Sequence, residues 1–278
     1  MSKLLYYLKR NKTSLGSEPV RKKEVNLEWW GKSQNIGDCL APVIYRYMLQ
    51  RRHLLENQKI QKTVHLMTIG SIIGMGWFDA VIWGSGLHTQ RMISEVIRHR
   101  QYVNYDVRAV RGPITSSILQ CAGYESPDIW GDPAILMPLI WNPDHDDLKK
   151  KYPVSVIRHY RDTDPVPSKI HTITTQTSDY RMFIKEILSS ELIISSSLHG
   201  LILAETYKVP AVFLNRNNNR DSELLKYLDW YYSTGRLDVR MAHSIEEAIR
   251  MTPMDLPKLK QMQTALLNAF PYDLWQMT

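Results

Sequence analysis

The sequence predicts an α/β protein of two similar halves, each with a parallel sheet, facing one another across a central cleft. Three observations predict it. Short apolar runs recur along the chain, and most end in a small-residue turn before a helix-spaced stretch. A polar break at residues 141–147, WNPDHDD, divides the chain, and the same pattern restarts beyond it. The 278 residues, 44% apolar and 23% charged, supply core for two domains of about 130 residues each. The expected division is a basic arm at 1–23, one α/β half at 24–147, and a second at 148–278 with a terminal helix.

In the first half, residues 25–30 read as a strand running into the loop Gly31-Lys32-Ser33-Gln34-Asn35-Ile36-Gly37-Asp38. A helix is expected from about 39 to 52, with Asp38 as its N-cap and Pro42 in its first turn. Residues 64–69 form a second strand, followed by the glycine-rich 70–76. That loop has no following Lys-Ser/Thr, so it is no Walker motif, and it lacks the full dinucleotide fingerprint, which leaves it weak as a phosphate loop. Residues 80–83 make a third strand, running into Gly84-Ser85-Gly86-Leu87-His88. Residues 107–110 make a fourth, running into Arg111-Gly112-Pro113. A helix follows to about Ala122, stopped by Gly123, and Ile129-Trp130-Gly131-Asp132-Pro133-Ala134 opens a short element.

In the second half, residues 154–157 form a strand ending in Arg158-His159-Tyr160-Arg161-Asp162. After a proline-containing loop come a strand at 170–174 and a helix at 180–188. Residues 191–210, ELIISSSLHGLILAETYKVP, then read as strand, tight turn and helix. Leu192, Ile193 and Ile194 suit a buried parallel strand. Leu198, Leu201, Ile202 and Ala204 recur at helical spacing, and Pro210 ends the element. His199 and Gly200 fall where strand becomes helix, the edge that faces the ligand crevice in open α/β sheets. Helix N-terminal amides seat anions, and Gly200 is expected to let a ligand approach the backbone. Residues 211–214 form the next strand, leaving into 215–220. A helix with a Ser244–Glu247 capping box spans 244–250, and a terminal helix spans 257–269.

No apolar run approaches the roughly 20 residues that span a bilayer, and residues 1–12 lack the apolar core of a signal peptide. With two cysteines, Cys39 and Cys121, and no metal spacing, a reduced cytoplasmic setting is expected; Asn11-Lys12-Thr13 then reads as a chance sequon. The net charge of +7 suits an anionic partner. The scattered Lys and Arg fit no nucleic-acid-binding motif, so nucleic acid is not expected. The arm crowds Lys3, Lys9, Arg10, Lys12, Arg21, Lys22 and Lys23 around Leu4, Leu5, Tyr6, Tyr7 and Leu8, as in segments that lie on the anionic inner face of a membrane.

Several local patterns suggest chemistry. Asp144-x-Asp146 and Asp162-x-Asp164 resemble the DxD of metal-dependent glycosyltransferases, but such pairs are common in polar loops, and no metal site is expected. Ser195, Ser196 and Ser197 beside His199 raise a serine nucleophile, yet the Gly-x-Ser-x-Gly elbow is absent. His88 and His159 lie at strand ends, placed to bind substrate.

Four further motifs, Asn35-Ile36-Gly37-Asp38, Val110-Arg111-Gly112-Pro113, Gly131-Asp132-Pro133-Ala134 and Ser197-Leu198-His199-Gly200, occur in this order and together resemble the polysaccharide pyruvyl transferase family. Ile82-Trp83-Gly84-Ser85-Gly86, Arg158-His159-Tyr160-Arg161-Asp162, Tyr227-Leu228-Asp229-Trp230 and Ser233-Thr234-Gly235-Arg236 extend the resemblance across residues 24–236, closest to bacterial exopolysaccharide members. It implies a GT-B-like fold of two Rossmann-like domains. It also implies transfer of a pyruvyl unit from phosphoenolpyruvate to two hydroxyls of a glycan or lipid-linked oligosaccharide, giving a pyruvate ketal and phosphate, with no cofactor. The family's catalytic positions fall on His199, Arg111, Asp38 and Asp132. Asn35, Ser85, Ser197, Leu198 and Gly200 join His88 and His159 as expected substrate contacts. Ser197 stands where many members carry Arg, so another cation must serve the donor, with Arg158, Arg216 and Arg236 as the candidates. Two other readings share the frame: a nucleotide-sugar glycosyltransferase and a non-enzymatic glycan-binding protein of an assembly complex.

Overall fold

The computed structural model describes residues 15–16, 18–76, 78–143, 149–216 and 221–276. The Asp144-x-Asp146 pair, residues 217–220 and the arm up to residue 14 lie outside them. The first half alternates β1 (Val25–Glu28), α1 (Ile36–Gln50), β2 (Val64–Met67), β3 (Ala80–Trp83), α2 (Gln90–His99), β4 (Tyr105–Ala109) and α3 (Pro113–Cys121). A 3-10 turn (Pro133–Leu136) and the one-turn α4 (Met137–Ile140) complete it. The second half contains β5 (Tyr152–Arg158), β6 (His171–Thr174), α5 (Tyr180–Leu188), β7 (Ser190–Ser195), α6 (Leu198–Thr206), β8 (Ala211–Leu214), α7 (Asp221–Ser233), β9 (Met241–Ala242) and α8 (Ile245–Arg250). Then α9 (Lys260–Ala269) and a last 3-10 turn (Tyr272–Trp275) follow.

Both sheets are parallel throughout, giving the Rossmann-like, GT-B-type pair of layers. Their strand orders differ. The first runs β1-β2-β3-β4 with no reversal, whereas the second runs β6-β5-β7-β8-β9 and reverses at β5. A reversal between β5 and β7 opens a crevice at their carboxyl ends, where His159 and His199 follow.

Four local expectations change. Helix α1 begins at Ile36, so the N-cap position is Asn35 and Asp38 lies in the first turn. Pro42 therefore falls inside the helix, where it offers no N–H to the turn before it. Helices α2 and α7 had no place in the sequence reading. In α2 the buried positions Met92, Val96 and His99 are spaced among polar residues, and Thr89 caps it by accepting from the Met92 amide at 3.3 Å. The capping box at α8 is shifted by one residue: Ser244 Oγ accepts from the Glu247 amide, while Glu247 accepts from the amide of His243.

One apolar core runs through both halves. It joins α1 and one face of the first sheet (Val25, Leu66, Val81, Trp83) to α5, α6 and the final segment. The other face of the first sheet packs with α2 and α3. Helix α9, grouped by sequence order with the second half, packs on the first. Trp83 Nε1 donates to the Leu266 carbonyl at 2.9 Å, the Tyr272 hydroxyl donates to the Met48 carbonyl at 3.0 Å, and Phe270 meets the Trp83 ring edge-on. Among the described residues no helix is long and apolar enough to cross a membrane.

Candidate active site between the two sheets

The carboxyl ends of both sheets border one cleft of about 200 Å³. Pockets for drug-sized ligands run to roughly 300–1,000 Å³, so this one suits a small metabolite. The first half lines it with Trp30 after β1, Asn35 and Asp38 on α1, Gly70 and Ser71 after β2, and His88 after β3. The second lines it with His159, Tyr160 and Arg161 after β5, with Ser197, Leu198 and His199 at the start of α6, and with Lys226 on α7.

His199 is held from both halves. Its Nε2 lies 3.5 Å from Asp132 Oδ2, and its side chain is 11% exposed. Asp132 is itself fixed, because its other oxygen accepts from the Ala134 amide at 3.0 Å and caps the 3-10 turn. The imidazole rests on the backbone of Gly37, where any Cβ would overlap the ring. Gly37 is thus a packing requirement of the histidine. Asp38 accepts from Asn35 Nδ2 at 2.6 Å. Burial pushes its carboxyl above the usual carboxylate range, against the lowering effects of Asn35 and of the His199 and Lys226 charges. Gly70, at φ +103°, lets that carboxyl come close to the loop after β2.

Six residues expected in the site stand elsewhere. Arg111 is 1% exposed and sits behind the cleft wall on Gly86. Its guanidinium donates to Asp229, to Ser71 Oγ at 2.6 Å and to the Leu87 carbonyl. Asp229 also accepts from the Thr115 amide and hydroxyl, so a residue of the second half supplies the cap that Gly112 cannot give α3. Ser85 is fully buried and donates to the Gly70 carbonyl, bracing the loop. Gly200 faces Ser195 and Ile157 in the sheet, and what approaches it is protein, not ligand. Arg158 and Arg216 both hold the Asp164 carbonyl, and Arg216 also pairs with Asp162 at 3.2 Å. Arg236 pairs with Glu205 at 2.5 Å. Asp162, the first residue of one DxD, is engaged by Arg216 and Ser196. Ser195 Oγ donates to backbone carbonyls, with no bond to His199.

The cations that do line the cleft are Arg161 and Lys226. Arg161 lies over the Tyr160 ring at 5.1 Å. Lys226 is 9% exposed and lies over the Tyr227 ring. Sequence reasoning passed over both. Arg161 was in view, three residues past the end of a strand whose last side chain, Arg158, is spent on the neighbouring loop. Lys226 had only its position beside Tyr227-Leu228-Asp229-Trp230 to mark it.

Comparison with known proteins decides the family. Residues 78–218 match the polysaccharide pyruvyl transferase family. The chain belongs to that family. This family member is 24% identical over 222 residues to an uncharacterized protein of Acanthamoeba polyphaga mimivirus, an alignment covering 76% of this chain and 75% of the relative. It is 28% identical over 138 residues to the succinoglycan biosynthesis protein ExoV of Rhizobium meliloti, covering 47% of this chain and 41% of ExoV. Among solved structures, an uncharacterized protein of Klebsiella pneumoniae superposes with a TM-score of 0.48 at 13% identity, over 82% of this chain and 90% of that one.

Proposed function

We propose that this protein transfers a pyruvyl group from phosphoenolpyruvate to two hydroxyls of a polysaccharide or its lipid-linked precursor, forming a ketal and releasing phosphate. What carries the reading is one cleft that gathers His199 on Asp132, the buried Asp38 carboxyl, Arg161 and Lys226. The donor bears a carboxylate and a phosphate, and Arg161 and Lys226 answer them with a planar fork and a point charge. A proton added to the donor's methylene carbon makes its central carbon electrophilic. Asp38, whose burial favours the protonated form, is the proposed proton donor in that step. His199 accepts the proton of the attacking hydroxyl, and Asp132 stabilises the imidazolium that results. Attack by the second hydroxyl at the same carbon expels phosphate; Asp38 takes back the proton of that hydroxyl, and His199 returns its own to the leaving phosphate, so both groups end as they began. Donor, acceptor and proton transfers close the balance, so the proposal includes no cofactor.

A thermal-shift panel tests the donor. Phosphoenolpyruvate at about 100 times its dissociation constant should add roughly 2.7 kcal/mol to apparent stability, and Arg161→Ala with Lys226→Ala should remove the shift. His199→Ala should keep the shift and lose about 10²–10⁴ in phosphate release, the scale of general acid–base catalysis. Stabilisation by nucleotide sugars alone would replace the proposal with glycosyl transfer.

A further inference from the structure

The positive charge of this chain is concentrated. Residues 1–24 and 59–63 hold nine of its 35 Lys and Arg but two of its 28 Asp and Glu. The remaining 26 of each cancel, so these two stretches account for the whole formal charge of +7. The fold joins the described part of the first stretch to the second. The Lys23 amide donates to Thr63 Oγ1 at 3.0 Å, the Ile60 amide to the Lys23 carbonyl at 2.9 Å, and Lys59 Nζ to the Lys22 carbonyl at 3.4 Å. Lys22, Lys23, Lys59 and Lys62, all exposed, line a shallow cavity of about 590 Å³ at the start of β1 and β2. Glu24 pairs with Lys59 at 2.5 Å and with Arg21 at 3.3 Å. Among the described residues Lys22, Lys23 and Lys62 have no carboxylate within ion-pair distance.

We propose that this edge of the first half is a docking surface for an anionic lipid bilayer. Exposed ammonium groups on flexible stems, without a planar fork or a buried donor, suit a diffuse negative surface better than one stereospecific anion. The chain outside the described residues favours lipid over a soluble polyanion, since residues 3–12, KLLYYLKRNK, alternate cations with an apolar run. Described structure resumes at Leu15, whose amide donates to Glu28 beside the cleft end of β1. Further along, Asn26 of that strand holds both the amide and the carbonyl of Arg21. Edge strand β1 thus links the two features: Lys23 precedes it, and Trp30 of the cleft wall follows it. Seven residues at about 3.3 Å each put them roughly 20 Å apart, so docking would hold the cleft within reach of a membrane-borne acceptor.

The test uses the full chain without donor or acceptor, so it stands apart from pyruvyl transfer. Co-sedimentation is measured with vesicles of phosphatidylcholine alone and with about 30% phosphatidylglycerol. Binding should require the anionic lipid, vanish near about 0.5 M salt, and weaken about a hundredfold in Lys22→Glu/Lys23→Glu/Lys62→Glu. If that variant fails to fold by circular dichroism, Lys22→Gln/Lys23→Gln/Lys62→Gln takes its place, with a smaller loss expected in the same direction. Unchanged vesicle binding by the folded variant, or no binding by the wild type, would overturn the proposal. So would heparin binding as tight as vesicle binding and equally sensitive to the substitutions, which would mark a polyanion surface instead.

Discussion

The two halves share an architecture and divide the chemistry. The first half adds its strands in one direction and gives the cleft its carboxyl groups: Asp38 on α1, with Asp132 behind the histidine. The second half reverses its strand order and gives His199 and both lining cations, Arg161 and Lys226. Neither half alone holds the set that the proposed transfer uses, Asp38 and Asp132 with His199, Arg161 and Lys226. The geometry of the candidate site is therefore a property of the seam, and the seam is made of particular contacts: Asp229 with Arg111, His199 with Gly37, and the final segment on β3 and β4.

Breaking these contacts in turn tests that view. Asp229→Asn should have the largest effect, about 3–5 kcal/mol lost in urea unfolding, because it leaves the Arg111 charge buried without its partner. If Arg111 instead held substrate, stability would stay near wild type and the loss would appear in donor affinity. Gly37→Ala should cost about 1–3 kcal/mol as the new methyl displaces the His199 ring or parts the halves. A ring moved by about 1 Å should also lower kcat about a hundredfold; wild-type kcat would show that α1 does not position the histidine. The smallest effect belongs to Asp273. Hydrogen bonds from Arg108 hold its carboxyl below the ordinary 3.8. Its contribution is therefore present above that value and lost as pH falls through the lower folded one. The side chain is 52% exposed, so Asp273→Asn should cost no more than about 1 kcal/mol at neutral pH, and the cost should fade in acid.

Much of this was legible in the chain. The strands at 80–83 and 211–214, the helix at 180–188 and the junction at His199 follow from apolar period and small-residue punctuation, which are local signals. Asp38, Asp132 and His199 were marked by motifs and do converge. What stayed hidden was pairing over long separations. No local rule says that Asp229 takes the guanidinium of Arg111, 118 residues away, or that Glu205 takes Arg236. An arginine in a motif reads as a donor to substrate until its protein partner is seen. Helix α2 escaped because its buried residues are few among Gln, Arg, Ser and Glu, and α7 because its period begins among polar residues.

The return of the final segment also bears on how the protein is made. Trp83, at the centre of the first sheet, and Tyr45 on α1 find partners in Leu266, Phe270 and Trp275. On a ribosome adding about 5–20 residues per second, the first half is synthesised on the order of ten seconds before those partners emerge. Through that interval its sheet lacks part of its cover, and transiently exposed apolar surface of this kind is prone to aggregate. A fragment ending near residue 143 would be caught at that stage. Supplying residues 257–276 in trans should rescue its solubility, as though the chain had only been slow to finish.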